Sequence, residues 1–158
     1  MDFFNKIING NALDILKQIP SESINCCVTS PPYYNLRDYG VKGQIGLEST
    51  PEEFIQNLVL VFREIKRLLK NDGVIWINIG DSYASNGGIY KNKEAQGKYN
   101  YLASGANGIQ IKPNKITGDL KPKDLIGIPW MLAFALRADG WYLRQDIIWS
   151  KPNPMPKA

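Results

Sequence analysis

The sequence contains no histidine, and its two cysteines, Cys26 and Cys27, are adjacent. The absence of histidine excludes a Ser-His-Asp hydrolase, a histidine metal site and any histidine general base within this chain. Adjacent cysteines supply neither a disulfide framework nor a four-ligand zinc site. Because both thiols lie in an apolar run, we expect them on a buried strand in a reducing compartment. No metal site is predicted.

The chain also lacks the features of secreted, membrane and disordered proteins. Its start has neither the charged lead nor the apolar core of a signal peptide. The longest apolar runs, such as residues 128–136, are too short to span a bilayer. The 158 residues are 44% hydrophobic, which is enough for one folded core, and the net charge of +4 permits nucleic acid as a partner without requiring one. We expect a cytoplasmic protein of bacterial, archaeal or phage origin.

Apolar periodicity predicts alternating strands and helices. Strands are predicted at residues 7–8, 25–29, 74–79 and 141–149, and helices at residues 11–19, 50–70 and 123–138. Thr50-Pro51-Glu52-Glu53 is a typical helix start, with a capping threonine, a first-turn proline and acidic residues at the positive end of the helix dipole. This alternation favours a parallel α/β sheet, in which ligands bind beyond the carboxyl ends of the strands.

Residues 82–123 interrupt this alternation with a composition rich in Gly, Asn, Tyr and Lys. We predict a long loop inserted between ordered elements. Its lysines, interspersed with tyrosines, have two interpretations: contacts to DNA phosphates, or a solvated insertion without a binding role. The second interpretation is slightly favoured.

The most informative motif is Ser30-Pro31-Pro32-Tyr33, which follows a predicted strand and continues as Tyr34-Asn35-Leu36-Arg37-Asp38-Tyr39-Gly40. Two adjacent prolines force the chain out of the sheet at this point. The motif resembles the catalytic motif of DNA methyltransferases that modify an exocyclic amino group, either cytosine N4 or adenine N6. The resemblance extends over nearly the whole chain.

The resemblance implies a role for each residue of the motif. The Ser30 side chain and the Pro31 carbonyl would accept hydrogen bonds from the amino group of the target base, on a loop that Pro31 and Pro32 make rigid. Tyr33 would stack on a base extruded from double-stranded DNA. We therefore expect Ser30, Pro31, Pro32 and Tyr33 to be catalytic. As a bare motif, the alternative is a proline-rich turn that ends a strand.

Other segments extend the resemblance and imply further site residues. Asn11 and Ala12, together with Ser30, are expected to contact the cofactor S-adenosylmethionine, although an ordinary turn and helix cap explains Asn11 equally well. Asp81 is expected near the mouth of the site, with a cap as its alternative. Arg37 either contacts a phosphate or pairs with Asp38. The residues expected to contact substrate are Tyr34, Arg37, Asp81, Trp149 and Lys151.

One element of the family is missing. Its members bind S-adenosylmethionine through a Phe-x-Gly-x-Gly strand end, which this sequence lacks. The resemblance therefore implies a partial Rossmann-like methyltransferase sheet with helices on both faces. Residues 1–158 would be the N-terminal part of a permuted catalytic domain, without the glycine motif and target-recognition region, and would need a C-terminal remainder or a complementary subunit.

The expected function is site-specific DNA methylation, with cytosine N4 favoured. The alternatives are RNA or protein nitrogen methylation, and an inactive nucleic-acid-binding fragment.

Overall fold

The computed structural model describes residues 3–84 and 119–153. The described elements follow one another in a mixed α/β order around a small parallel sheet. They are helix α1 (Ala12–Leu16), strand β1 (Ile24–Thr29), helix α2 (Pro51–Leu68), strand β2 (Leu69–Ile77) and helix α3 (Ile128–Ala138).

Helix α2 is the main element of the core, and it begins as its sequence predicts. The Thr50 side chain accepts a hydrogen bond from the Glu53 N–H at 3.2 Å, while the Glu53 carboxylate accepts one from the Ser49 N–H at 3.1 Å. The first bond satisfies a backbone donor that the first helical turn leaves unpaired, and the second holds the chain just before the helix. Apolar residues at helical spacing then form the buried face, which comprises Phe54, Ile55, Leu58, Val59, Phe62, Ile65 and Leu68.

The strands β1 and β2 pair in parallel, and α2 connects them. Cys27 lies opposite Ile75 and Thr29 opposite Ile77, with an irregularity in register between Ile24 and Cys26. β2 starts directly after α2, so the helix ends at Leu68, before the Asn71-Asp72-Gly73 segment where the sequence predicts its end. The central prediction of a parallel α/β arrangement is confirmed.

The two faces of this sheet differ sharply in burial. Ile75 and Ile77 pack against the core, whereas on the opposite face Val28 is 78% exposed and Trp76 is 51% exposed. The described residues leave this second face uncovered, so the expectation of helices on both faces stays a prediction. Since parallel sheets are ordinarily covered on both sides, this bare apolar face needs a covering element that those residues do not supply.

The cysteines follow the same division, which corrects the prediction that both are buried. Cys26 is exposed, and Cys27 is half-buried. Burial raises the pKa of the Cys27 thiol, and the adjacent Cys26 raises it further.

Helix α3 begins later than predicted. Residues of the expected first turn instead pair with the segment after β2: the Ala84 N–H donates to the Asp124 carbonyl at 2.8 Å, and the Ile126 N–H donates to the Ser82 carbonyl at 2.9 Å. The helix starts only after Gly127, whose φ of 88° interrupts helical geometry. Its buried residues, Ile128, Leu132 and Leu136, belong to the same core cluster as the buried face of α2.

Two predicted strands are absent from the described structure. Residues 7–8 and 141–149 have no strand pairing, although both are rich in apolar residues. Ile148 is 85% exposed and Trp149 is 76% exposed. A strand requires a neighbour that accepts and donates its ladder hydrogen bonds, and neither β1 nor β2 pairs with these segments. The sequence pattern therefore marks strand-forming segments without a partner.

Most of the predicted loop at residues 82–123 lies outside the described residues, so its two interpretations stay predictions. None of the helices in the described ranges is long and apolar enough to cross a membrane.

Arg67, near the end of α2, connects this helix to the chain between α1 and β1. Its guanidinium donates to the Leu16 carbonyl at 2.9 Å, the Ile19 carbonyl at 3.1 Å and the Ser21 hydroxyl at 2.9 Å. A further N–H binds the Glu64 carboxylate at 2.8 Å. The planar, forked guanidinium is well suited to reach these four acceptors together.

We predict that Arg67→Lys lowers the free energy of unfolding by about 1–3 kcal/mol, because a lysine ammonium does not reproduce the forked contacts. Urea unfolding followed by circular dichroism measures this change. Arg63→Lys is the matched control, since the more exposed Arg63 pairs with a single carboxylate, that of Asp139, among the described residues. Equal losses in the two variants would contradict a special role for Arg67.

Candidate active site

Parallel pairing brings the ends of β1 and β2 to one edge of the sheet. Beyond the last paired residues, the Asn78 N–H donates to the Thr29 carbonyl at 2.9 Å. The chain leaves β1 into the segment 30–36 and leaves β2 into the segment 78–84, so the two segments start side by side. We call residues 30–36 the motif loop.

The motif loop presents an exposed Ser30 followed by half-buried Pro31, Pro32 and Tyr33. The Leu36 N–H donates to the Tyr33 carbonyl at 3.3 Å, which closes a turn immediately after the prolines. Ser30 and Tyr33 thus lie on a short, conformationally restricted stretch of chain. This stretch follows a strand end, as the sequence predicts for the motif.

Tyr34 anchors this loop in the core. The residue is only 3% exposed, and its ring lies 5.4 Å from that of Phe54, centroid to centroid, at an interplanar angle of 45°. Burial raises the pKa of Tyr34, and the negative charges of Glu48, Glu52 and Glu53 raise it further. Tyr34 therefore has a packing role in the core, and its expected contact with substrate stays a prediction.

The residues that follow the motif loop, 37–40, are held by Gln44, which the sequence analysis did not identify. Its side chain accepts from the Tyr39 N–H at 2.6 Å and donates to the Arg37 carbonyl at 2.9 Å. The Arg37 side chain is exposed, and the Asp38 carboxylate accepts from the Gly40 N–H at 2.7 Å rather than bracing the loop through Arg37. A glutamine in a polar loop carries no sequence signal for this role, because its partners are backbone groups.

Asp81 has the capping role that the sequence analysis gave as an alternative. Its carboxylate accepts from the Gly127 N–H at 3.0 Å, the Ile128 N–H at 3.1 Å and the Ser82 N–H at 2.8 Å. The first two donors belong to the start of α3, where unpaired N–H groups and the helix dipole favour a negative charge. Asp81 thus fastens α3 to the end of β2, and its carboxylate is occupied by backbone donors.

Asn11 also caps a helix. Its side-chain oxygen accepts from the Leu13 N–H at 3.0 Å and from the Asp14 N–H at 3.4 Å, at the start of α1. Ala12, the first residue of that helix, is exposed. The cap alternative for Asn11 is confirmed, and a cofactor contact by Asn11 or Ala12 stays a prediction.

The structure does not form a pocket wall from the remaining predicted residues. Trp149 and Lys151 are exposed on the unpaired segment that follows α3. No cluster of three or more histidine, cysteine or acidic side chains suited to a metal ion occurs within residues 3–84 and 119–153.

The protein thus has a parallel α/β fold with a proline motif at one strand end and a second strand end beside it. Comparison with known protein families identifies the class of protein to which this arrangement belongs. Residues 24–158 match the family model N6_N4_Mtase, described as DNA methylase. The chain belongs to this family of amino-methylating DNA methyltransferases.

Individual relatives are similar over almost all of this chain. The chain is 50% identical over 152 residues to Type II methyltransferase M.Cfr9I of Citrobacter freundii, an alignment that covers 96% of this chain and 48% of the relative. It is 50% identical over 153 residues to Type II methyltransferase M.SmaI of Serratia marcescens, covering 97% and 50%. For Type II methyltransferase M.SfiI of Streptomyces fimbriatus the identity is 42%, with 93% of this chain and 30% of the relative covered. The chain thus spans at most about half the length of these relatives.

We predict that Asp81→Ala lowers the free energy of unfolding by about 1–2 kcal/mol, because it leaves the first N–H groups of α3 unpaired. Asp81→Asn should cost less, since its amide oxygen still accepts a hydrogen bond. Urea unfolding measures the loss, and hydrogen exchange of the Gly127 and Ile128 amides locates it. Asp72→Ala, at an exposed position, is the control. Unchanged exchange at both amides in Asp81→Ala would contradict the capping role.

Proposed function

We propose that this chain forms the N-terminal part of the catalytic domain of a site-specific DNA methyltransferase. The reaction transfers a methyl group from S-adenosylmethionine to an exocyclic amino group of a base extruded from double-stranded DNA, with cytosine N4 favoured over adenine N6. The family of amino-methylating enzymes supports the type of reaction. The observation that carries the proposal is the placement of Ser30 and Tyr33 together on a restricted loop at the edge of the sheet.

Methyl transfer requires groups that hold the amino group of the target base in place. None of these groups needs to remove a proton from that amino group before the methyl group is transferred. The Ser30 hydroxyl and the Pro31 carbonyl accept hydrogen bonds from the amino group of the target base. These bonds turn the lone pair of the nitrogen away from conjugation with the ring of the base. S-adenosylmethionine, when bound, would supply an electrophilic methyl group to this nitrogen and leave as S-adenosylhomocysteine, and the surplus proton of the amino group would pass to water. Tyr33 stacks on the extruded base. This scheme needs no histidine, in keeping with the composition.

The substrate preference rests on Ser30. A neutral hydroxyl accepts a weaker hydrogen bond from an amine than a carboxylate does at the same position. We infer that Ser rather than Asp at this position favours cytosine N4. Arg37 and Lys151 are both exposed and are proposed to contact DNA phosphates, and Trp149 is proposed to border the base.

The described residues fit only part of the cofactor. The side-chain oxygen of Asn11 is already engaged in capping α1, and the chain contains no Phe-x-Gly-x-Gly segment for close approach of the methionine moiety. We propose that Asn11, Ala12 and Ser30 form one border of the cofactor site. The rest belongs to a polypeptide segment that this chain does not include.

The same missing segment explains the bare face of the sheet. Val28, Val74 and Trp76 expose an apolar surface, and the segments at residues 7–8 and 141–149 have no strand partner. We propose that a C-terminal remainder of the enzyme, or a complementary subunit, covers this face and completes a Rossmann-like sheet with helices on both sides. The relatives are about twice as long as the segment matched here, which supports this proposal.

A second candidate follows from the incomplete cofactor site. By itself, the chain is proposed to act as an inactive nucleic-acid-binding part that becomes catalytic only with its complement. Methylation of RNA or protein nitrogen is the other alternative, and the DNA methylase family disfavours it. The Type II names of the relatives favour a role in restriction-modification, in a reducing cytoplasm where Cys26 and Cys27 stay free thiols.

We predict that expression of the complete enzyme in a host without amino-methylating activity produces N4-methylcytosine in its DNA, detected by nucleoside mass spectrometry. Tyr33→Ala should lower methyl transfer by about one to two orders of magnitude, because a stacking contact of about 1–3 kcal/mol is lost. Ser30→Ala should lower turnover as well, since one acceptor for the amino group disappears.

Tyr39→Ala is the matched control, because Tyr39 is exposed on the same stretch of chain. It should keep the parental rate. N6-methyladenine alone would overturn the cytosine preference, and parental rates in both folded variants would overturn the catalytic assignment.

We also predict that the isolated chain does not bind S-adenosylmethionine in isothermal titration, whereas a protein extended at the C-terminus does. In the extended protein, Cys26 should be protected from iodoacetamide, because the face that carries it is then covered. In the isolated chain Cys26 should react faster than Cys27, whose pKa is raised by burial. Equal alkylation of Cys26 in the two proteins would contradict coverage of this face.

A further inference from the structure

The ring of Tyr33 fills the space beside Gly80, where the two strand-end segments run next to each other. A Cβ placed on Gly80 would lie 2.8 Å from Cε2 of Tyr33, 3.2 Å from Cδ2 and 3.6 Å from Cζ. Nonbonded carbon atoms have their optimal separation at about 3.5–4.0 Å. The ring therefore occupies the space that any side chain at position 80 would need.

Gly80 is not required by the backbone of its own turn. Within residues 3–84 and 119–153, the glycines with positive φ are Gly40, Gly43, Gly46, Gly127 and Gly140, and Gly80 is not among them. An alanine at position 80 would thus meet no conformational penalty of the left-handed region. What excludes a side chain there is the Tyr33 ring.

The main chain of Tyr33 is held on its other side, so the ring cannot simply move away with its backbone. A Cβ on Gly46 would lie 3.2 Å from the Tyr33 carbonyl oxygen, and the next residue, Tyr34, is buried in the core. The Ser82 hydroxyl donates to the Tyr34 carbonyl at 3.3 Å, which ties the motif loop to the segment that carries Gly80. With its backbone fixed, the ring of Tyr33 takes the orientation that the surface of Gly80 allows.

We propose that Gly80 is a positioning residue that sets the plane of the Tyr33 ring for stacking on the extruded base. The inference rests on the proposed function, since it concerns the role of Tyr33 in that reaction. Gly80 acts by the absence of a side chain: the edge formed by Cδ2, Cε2 and Cζ of the ring occupies the space beside its backbone, and the ring position that results is the one offered to the base. A methyl group at position 80 displaces the ring from this position, without removing the ring itself.

A double-mutant cycle in the complete enzyme tests the proposal with Gly80→Ala, Tyr33→Ala and the double variant. Gly80→Ala should lower kcat for DNA about tenfold and leave KM for S-adenosylmethionine unchanged, because the misplaced ring stacks less well in the transition state. In the Tyr33→Ala background the same change should have no further effect, since a residue that acts through a ring cannot act once the ring is gone.

Gly43→Ala serves as the control for loss of a loop glycine. Its φ of 79° makes an alanine strained, but a Cβ there meets no atom within 4 Å. It should lower the melting temperature and keep kcat, whereas Gly80→Ala should keep the melting temperature within a few degrees of the parent.

The outcomes separate this proposal from the function on which it rests. Parental turnover in Tyr33→Ala overturns the role of Tyr33. A loss in Tyr33→Ala with none in Gly80→Ala, or losses that multiply in the double variant, overturns the role of Gly80 alone. An independent readout is the nuclear Overhauser effect between the Gly80 Hα protons and the Tyr33 ring in the 158-residue chain, and its absence overturns the proposed contact even if the enzyme shows no activity.

Discussion

The parallel pairing of β1 and β2 is the constraint on which the candidate site depends. Parallel strands run in the same direction, so the residues that follow Thr29 and Ile77 emerge at the same edge although 47 residues of chain separate the two positions in the register Thr29↔Ile77. The Asn78 N–H that donates to the Thr29 carbonyl extends this pairing by one bond into the loops. Without this parallel pairing, the motif loop and the segment of residues 78–84 would not start side by side.

At this edge, residues with an observed structural role are neighbours of residues with a proposed functional role. Tyr34 packs into the core against Phe54 and holds the loop, which leaves Tyr33 at the surface of the site. Across from them, Asp81 fastens α3 through backbone N–H groups, while Gly80 leaves room for the Tyr33 ring. Each pair consists of one residue that anchors its segment and one that we propose shapes the site. This arrangement is economical because a short segment then needs no additional element to hold it.

In the described fold, one face of the sheet is uncovered, and two segments that the sequence predicts as strands are not paired. Apolar surface such as that of Val28 and Trp76 favours burial by about 25 cal/mol per Å², so a complementary segment would find a substantial driving force there. The family to which the chain belongs and the greater length of its relatives agree with that interpretation. The proposed complementary segment would account for both the incomplete set of residues expected at the cofactor and the uncovered sheet face.

The sequence by itself determined the α/β order, the helix start at Thr50, the strand end at Ser30 and the motif that predicts the chemistry. These features are local: a cap, a proline pair and a hydrophobic period each act within a few residues of chain. It did not determine the late start of α3 or the role of Gln44, and it left the roles of Asp81 and Asn11 open between site and cap. Nor did it determine which of two adjacent tyrosines is buried. The contacts of Asp81, Tyr34 and Gly80 join segments that are distant in sequence, and only the tertiary structure decided them, because it alone specifies which backbone donors and rings come within reach.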